Sequence, residues 1–228
     1  MVKVLTPEQL EELKKIDSPT ISNAIETLQV RDRFEGYLGP EIRCIFPELK
    51  PTLGYAVTVT IENVPAGESA NGAKQFEFFD ALEAAPRPSV CVFKDISVNP
   101  RRASQWGEVL GTTVKALGAV GVVTDGTVRD IEEVRRLGGL QYFAQGVCVS
   151  HGELRMVDIN VPVEISGCKI KPGDLVHGDL NGVVLIPDEI ADRVAAAAAA
   201  IYKSEGKMLE AFKKPGLTAQ KVRDIFSY

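Results

Sequence analysis

Cysteine is sparse and scattered. Cys44, Cys91, Cys148 and Cys168 lie far apart without a CxxC pair, a spacing unlike a zinc knuckle or a disulfide framework, so reduced, buried thiols are expected. Histidine is scarcer still: His151 and His177 are the two in the chain, in neither an HxH nor an HxxxH pattern. A histidine-built metal site is therefore not expected; His151 reads as a turn residue and His177 as a strand residue. No apolar run approaches the roughly 18 residues of a membrane span, and the alanines from Ala195 to Ala200 are flanked by Arg193 and Lys203. The amino terminus turns charged before an apolar stretch of signal length begins, so a soluble, cytoplasmic protein with no membrane partner is expected. Clustered positive charge is missing as well. A net charge of −5 with dispersed Lys and Arg argues against a nucleic-acid partner, because neutralising phosphates needs grouped cations.

Nucleotide signatures are also absent. Gly118, Gly121 and Gly126 do not have GxGxxG spacing, and no GxxxxGK loop occurs, so no nucleotide cofactor or methyltransferase-type cofactor loop is implied. Ser150-His151 lacks the GxSxG elbow that would make a hydrolase triad plausible.

What is present is an ordinary globular balance: 228 residues, 45% hydrophobic and 25% charged, enough to bury a core. Thr6-Pro7-Glu8-Gln9 is a capped helix start with proline at its first position, and Leu10, Leu13 and Ile16 give that helix an apolar face. A second helix is predicted from Ser18-Pro19 to about Val30. Strands are predicted at Tyr55–Ile61, Val90–Phe93, Val120–Thr124, Leu175–His177 and Val183–Ile186, and around Tyr142, Val147 and 161–165. Gly72–Ala85, Gly107–Leu117 and Asp130–Leu137 read as helices, with Gly138-Gly139 stopping the last. Asp188 is the predicted cap of a long helix to about Phe212, and Leu217–Phe226 a short final one. Asp174 and Asp179 read as turn-shaping acids. The pattern predicts α/β architecture: one compact layered domain over 1–228, a central mixed sheet, and terminal helices at 6–30 and 188–226 that pack on the core or on a neighbouring subunit.

The informative stretch is WGEVLGTTVKALGAVGVVTDGTVRDIEE, Trp106 to Glu133. It holds two helix starts separated by a wholly apolar strand. The amides of Glu108, Val109 and Leu110 are orphan donors at a positive dipole end, suited to a carboxylate. Arg129 offers a planar fork for a carboxylate or keto oxygen, and Asp130 offers hard oxygen for a divalent cation. Glu133, three residues on, shares a helical face with Asp130. A solvated ion pair of Arg129 with Asp130 or Glu133 is the other reading of that string. Sheet-end loops, however, are where α/β proteins place ligands.

The stretch resembles the class II pyruvate aldolases acting on 4-hydroxy-4-methyl-2-oxoglutarate and 4-carboxy-4-hydroxy-2-oxoadipate, with the related regulator of ribonuclease activity A. It is carried by SPTISNAIETL, GYAVTV, WGEVLG, GAVGVVTDGTVRD and GDLNGVVLIP, and covers most of the chain. The resemblance implies a swivelling β/β/α-like fold, Asp130 as direct ligand of Mg2+ (or Mn2+ or another divalent metal), Arg129 on the small 2-oxo acid substrate, and Glu108 near the metal through water. Val109 and Leu110 would hold the pyruvate carboxylate. It further implies a homotrimer or hexamer, with a glutamate from a neighbour's carboxy-terminal helix, Glu205 first and Glu210 second, completing the site. The activity implied is divalent-metal-dependent aldol cleavage of 4-hydroxy-2-oxo dicarboxylic or tricarboxylic acids to pyruvate, with oxaloacetate decarboxylation beside it; the alternative is a non-catalytic regulator that inhibits a ribonuclease or RNA helicase. Glu133 is the acid that the resemblance attaches to aldolase competence. DISVNPRRASQ, before Trp106, departs from relatives, and Arg101 and Arg102 there are either ligands for a second carboxylate or solvated.

Overall fold

The computed structural model describes residues 3–65 and 72–226. Two amino-terminal helices come first, α1 (Pro7–Leu13) and α2 (Ser18–Leu28). The Thr6 hydroxyl accepts from the Gln9 amide and the Gln9 side chain accepts from the Thr6 amide, the predicted reciprocal cap. Asp17 caps α2, which stops at Leu28 because Gln29 turns left-handed.

The sheet follows: β1 (Arg43–Cys44), β2 (Thr52–Asn63), then α3 (Gly72–Ala84), β3 (Ser89–Asp95), α4 (Glu108–Ala116), β4 (Ala119–Thr124), α5 (Ile131–Leu137) and β5 (Gln141–Ala144). From β2 to β5, each helix returns the chain to a neighbouring parallel strand. The carboxyl ends of these strands, and the starts of α4 and α5, therefore share one edge. The chain continues through β6 (Leu154–Ile159), the hairpin β7 (Val163–Ile165) and β8 (Cys168–Ile170), β9 (Leu175–Asp179) and β10 (Gly182–Ile186), and ends on α6 (Val194–Phe212) and α7 (Ala219–Phe226). Sheet order is β1-β5-β4-β3-β2-β9-β10. The long strand β2 serves two antiparallel partners, β9 along Thr52–Tyr55 and β6 along Val59–Asn63, which makes the sheet mixed.

Strand alternation sorts the core. Cys91 and Phe93 of β3 face Phe78, Leu82, Trp106, Val114 and Tyr142 under α3, α4 and α5. Val90 and Val92 face the opposite way, towards Ile165, Ile170 and Val176. Helices α1, α2 and α6 cover Tyr55, Leu175, Val184 and Ile186.

Several predicted elements need correction. Asp188 does not cap the long helix: residues 187–193 form turns, with Ile190 donating back to Pro187 and Arg193 to Ile190, and α6 begins at Val194. Strands β1, β6 and β8 were not predicted, and Val147 makes an isolated bridge rather than a strand. Asp179 does more than shape a turn. Its Oδ1 accepts from the Asn181 amide and its Oδ2 from the Ser18 amide, each at 2.8 Å, tying the start of α2 to β9.

Beside it, His177 is fully buried with Nδ1 3.1 Å from Ser18 Oγ. Burial holds its basicity below the ordinary histidine range. As pH falls through the ordinary imidazole range, the unfolded chain takes up a proton that the folded one refuses, so stability is lost from about pH 6.5 downwards. His177→Asn, which keeps a hydrogen-bonding group near Ser18 Oγ, is expected to remove that slope: wild-type stability should drop by up to about 1.4 kcal/mol per pH unit more than the variant's between about pH 6.5 and 5. Urea unfolding at a series of pH values measures this, and parallel curves would contradict it.

Candidate active site

Three loops at the carboxyl edge are stitched together by a short parallel ladder. Trp106 bridges Val128, and Val128 bridges Val147. The Arg129 amide donates to Trp106 O at 2.8 Å, the Val128 amide to Gly146 O at 3.0 Å, and the Cys148 amide to Val128 O at 3.0 Å. Beneath, Trp106 packs edge-on against Phe93, ring centroids 4.7 Å apart, and approaches Tyr142. The loop after β4 is further held by Thr127 Oγ1 donating to Ala103 O and by Asp125, which accepts from the Asp95 amide and pairs with Lys94. Burial pushes the neighbouring Asp95 carboxyl up from the ordinary range.

Asp130 sits at the start of α5 in the left-handed region, φ 55° and ψ 45°. Aspartate tolerates that region better than most residues, yet it is an uncommon state that is kept where surroundings enforce it. The conformation carries its carboxylate across to α4: Oδ2 accepts from the Glu108 amide at 3.0 Å, while Oδ1 lies 3.4 Å from Arg129 Nε. One carboxylate thus caps the neighbouring helix and touches the guanidinium beside it. The Glu108 amide is consumed by this contact. The amides of Val109 and Leu110, still within the first turn, have no acceptor inside the helix.

These groups open onto a cleft of about 500 Å³ whose lining includes Arg129, Asp130, Val109 and Leu110. Of the predicted site residues, those four come together. Glu108 flanks them through its backbone, with its side chain exposed. Glu133 does not join the site: its Oε1 pairs with Arg136 at 2.9 Å on the outer side of α5. Glu205 lies on α6, which packs on α1 and α2 and contributes nothing to the cleft of its own chain. Glu210 pairs with Lys213. Arg101 and Arg102 are exposed and outside the cleft lining.

Sequence reasoning missed other residues of the lining: Gln75 and Phe79 of α3, Ser104 and Gln105 before α4, and His151 and Glu153 before β6. No spacing motif links such distant positions. The alternation of Leu154, Met156 and their exposed neighbours would have revealed β6 and placed His151 and Glu153 at a strand entry.

Among the described residues no three Cys, His, Asp or Glu side chains converge as a metal cage. Among the described residues of the lining, Asp130 and Glu153 carry carboxylates. That donor set fits magnesium, which is held by one or two carboxylates and keeps positions for water and substrate oxygens, and does not suit a closed tetrahedral zinc site.

The RraA-like family model, described as Aldolase/RraA, matches residues 18–185. The chain belongs to the RraA-like family. Among relatives, the uncharacterised protein MJ0644 of Methanocaldococcus jannaschii is 36% identical over 123 residues, 54% of this chain and 57% of that one. A protein of Halalkalibacterium halodurans, provisionally named a 4-hydroxy-4-methyl-2-oxoglutarate aldolase, is 36% identical over 106 residues, 46% of this chain and 49% of that one. The matched stretches thus span about half the length of these curated relatives. A solved, uncharacterised protein from Pseudomonas syringae pv. tomato superposes with a TM-score of 0.76 at 26% identity, covering 100% of this chain and 97% of its own. The fold shared with that structure extends across the chain, and the family match of 18–185 encloses the Arg129-Asp130 cleft.

Gly107 exposes how tightly that corner of the RraA-like chain is built. Its backbone, φ −132°, is open to any residue, but a Cβ there would come 2.3 Å from Asp130 Oδ2 and 3.2 Å from Arg129 Cγ. Gly107→Ala is expected to displace Asp130 and Arg129 while costing about 1–3 kcal/mol of stability. Thermal unfolding beside a crystal structure of the variant checks this; an unchanged melting temperature with the Glu108–Asp130 contact intact would show that the corner yields.

Proposed function

We propose that the protein is a divalent-metal-dependent carbon–carbon lyase that cleaves 4-hydroxy-2-oxo acids to pyruvate, with oxaloacetate decarboxylation as a second activity. The observation that carries the reading is the bond from the Glu108 amide to Asp130 Oδ2, which draws two helix starts and Arg129 around one cleft.

In this reading the amides of Val109 and Leu110 bind the substrate's carboxylate at the positive end of α4. Arg129 sets its fork on the keto oxygen, and Asp130 holds magnesium, or manganese in its place. A cation held there would supply Lewis acidity for the developing enolate. Glu108, on the exposed rim, receives the proton of the 4-hydroxyl through a water. The C3–C4 bond then breaks, its electron pair passes into the pyruvate enolate, and Arg129 balances the charge until C3 is protonated. Oxaloacetate loses carbon dioxide into the same electron sink without a separate base.

Removal of the Asp130 charge is best tested by Asp130→Asn, because asparagine accepts the left-handed conformation and retains an oxygen for the Glu108 amide; alanine would lose both and confuse stability with function. Metal-dependent pyruvate release should vanish in Asp130→Asn while the melting temperature stays near that of the wild type. Arg129→Lys should fall by about 100-fold, since an ammonium lacks the bidentate fork. Near-normal kinetics in either variant would remove that residue from the mechanism.

The working unit in this proposal is a homotrimer or a dimer of trimers. Val109, 82% exposed at the cleft mouth, is an apolar side chain left for a neighbour to cover, and Glu205, remote from its own cleft, is free to complete the next subunit's. Mixing inactive Asp130→Asn with inactive Glu205→Ala subunits should restore part of the activity. A fully active monomer in sedimentation would overturn the assembly, and no rescue despite proven exchange would reject Glu205.

A further inference from the structure

We infer that a monovalent alkali cation binds between the loop after β3 and the loop after β4, held by the Asp95 carboxylate, the Pro100 carbonyl and the Thr124 hydroxyl. The inference is independent of the lyase reading and begins with a buried charge. Asp95 is 3% exposed. Its Oδ1 accepts from the Ser97 amide at 2.8 Å, whereas Oδ2 is buried with no hydrogen-bond partner among the described residues. A carboxylate oxygen taken from water without a partner is costly, and buried charges are as a rule paired or bound to a metal.

Gly126 shows where Oδ2 points. A Cβ on that glycine would lie 3.6 Å from Asp95 Oδ2, 3.4 Å from Pro100 O and 3.3 Å from Thr124 Oγ1. Oxygens from the end of β3, the loop that follows it and the end of β4 therefore meet around one point, on the side of Gly126 that carries no side chain. They are a carboxylate, a carbonyl and a hydroxyl, the hard donors that closed-shell cations take. The Thr124 oxygen accepts from the Gly126 amide at 3.0 Å and keeps a second lone pair.

The charge count selects a single positive charge. Asp125 is the neighbouring carboxylate: its Oδ1 accepts from the Asp95 amide and its Oδ2 pairs with the Lys94 ammonium. That pair is neutral together, so Asp95 leaves one negative charge over. Burial, with the Asp125 charge adding to it, holds the Asp95 carboxyl above its ordinary range, as expected of a carboxylate that lacks a counter-ion. A divalent ion would reverse the imbalance rather than remove it, and magnesium also demands a near-ideal octahedron. A proton on Asp95 would neutralise it too, and is the alternative to be tested. Pro100 belongs to the loop that ends at Trp106, and Thr124 to the stretch that leads to Arg129; the bond from Thr127 Oγ1 to Ala103 O joins the same two loops. A cation between them braces the approach to the site from outside the cleft, since none of its three ligands lines it.

Thermal unfolding of the full chain, free of divalent metal, in sodium or potassium chloride and in choline chloride at equal ionic strength separates the cation from the proton. Choline is too large for a site formed beside a missing Cβ. A melting temperature higher by about 3 °C or more in at least one alkali chloride is expected, because a ligand bound by the folded chain alone raises its stability by mass action. The difference should vanish in Asp95→Asn, which lacks the charge, and in Gly126→Ala, whose methyl group would stand among the three oxygens; either variant decides if the other fails to fold. It should persist in Asp130→Asn, which keeps this ion apart from the metal of the proposed function. Equal melting temperatures in the three chlorides would overturn the inference in favour of a protonated Asp95. An alkali response that survives in folded Gly126→Ala or Asp95→Asn, or that disappears in Asp130→Asn, would overturn it as well.

Discussion

The ladder from Trp106 through Val128 to Val147 is the constraint on which the site depends. Loops beyond strand ends must satisfy their backbone polar groups somewhere, and here three of them do so on one another, directly above the aromatic packing of Phe93, Trp106 and Tyr142. Because the Arg129 amide is itself a rung, donating to Trp106 O, the point from which its side chain leaves the backbone is set by the core. A side chain on a free loop would have to order itself on each binding event. One held this way meets a ligand with that entropy already spent.

Asp130 has three neighbours competing for two oxygens: the Glu108 amide, the Arg129 guanidinium and, in the proposed function, a cation. The left-handed backbone resolves the competition geometrically. It turns Oδ2 towards α4 and leaves Oδ1 at 3.4 Å from Arg129 Nε, a separation too long for a strong charge-assisted bond. The oxygen facing Arg129 is consequently the one available to a cation. The absence of a Cβ at Gly107 is part of the same arrangement, since the space such an atom would fill is occupied by Asp130 Oδ2.

Much of this was legible in the sequence, for identifiable reasons. Capping chemistry is local, so Thr6, Pro7 and Gln9 announced α1. The apolar run Val120–Thr124 announced a central strand because a strand covered on both faces needs no alternation. Arg129 and Asp130 stood out because they follow that strand directly. What was not legible depends on distance through space. Short strands such as β1 and β8 take their identity from partners, Arg43 from Ala144 and Lys169 from Glu164. The start of α6 was placed too early because Asp188 has cap chemistry, while the turns that follow it are fixed by burial of Ile190 and Ala191 against the α2 side of the core. Glu133 shares a helical face with Asp130 only while that face is ideal. The left-handed residue at the helix start swings the Asp130 carboxylate towards α4 and leaves Glu133 to Arg136.

The two halves of the cleft differ in what they are made of, and that difference has a chemical consequence. The half around Arg129 is built largely from backbone: helix-start amides, a ladder rung and one constrained carboxylate. Amides are present whatever side chains surround them, so this half specifies a general feature, an anionic head beside a polarisable oxygen. The rest of the lining is built from side chains delivered by three segments, α3, the loop before α4 and the entry to β6. Exchanging Gln75 or Glu153 for another residue alters charge or hydrogen-bond sense there without removing a rung of the ladder or Asp130. In the proposed function the keto end is therefore held by backbone groups and one carboxylate, whereas the remainder of the substrate meets side chains that substitution alters more readily.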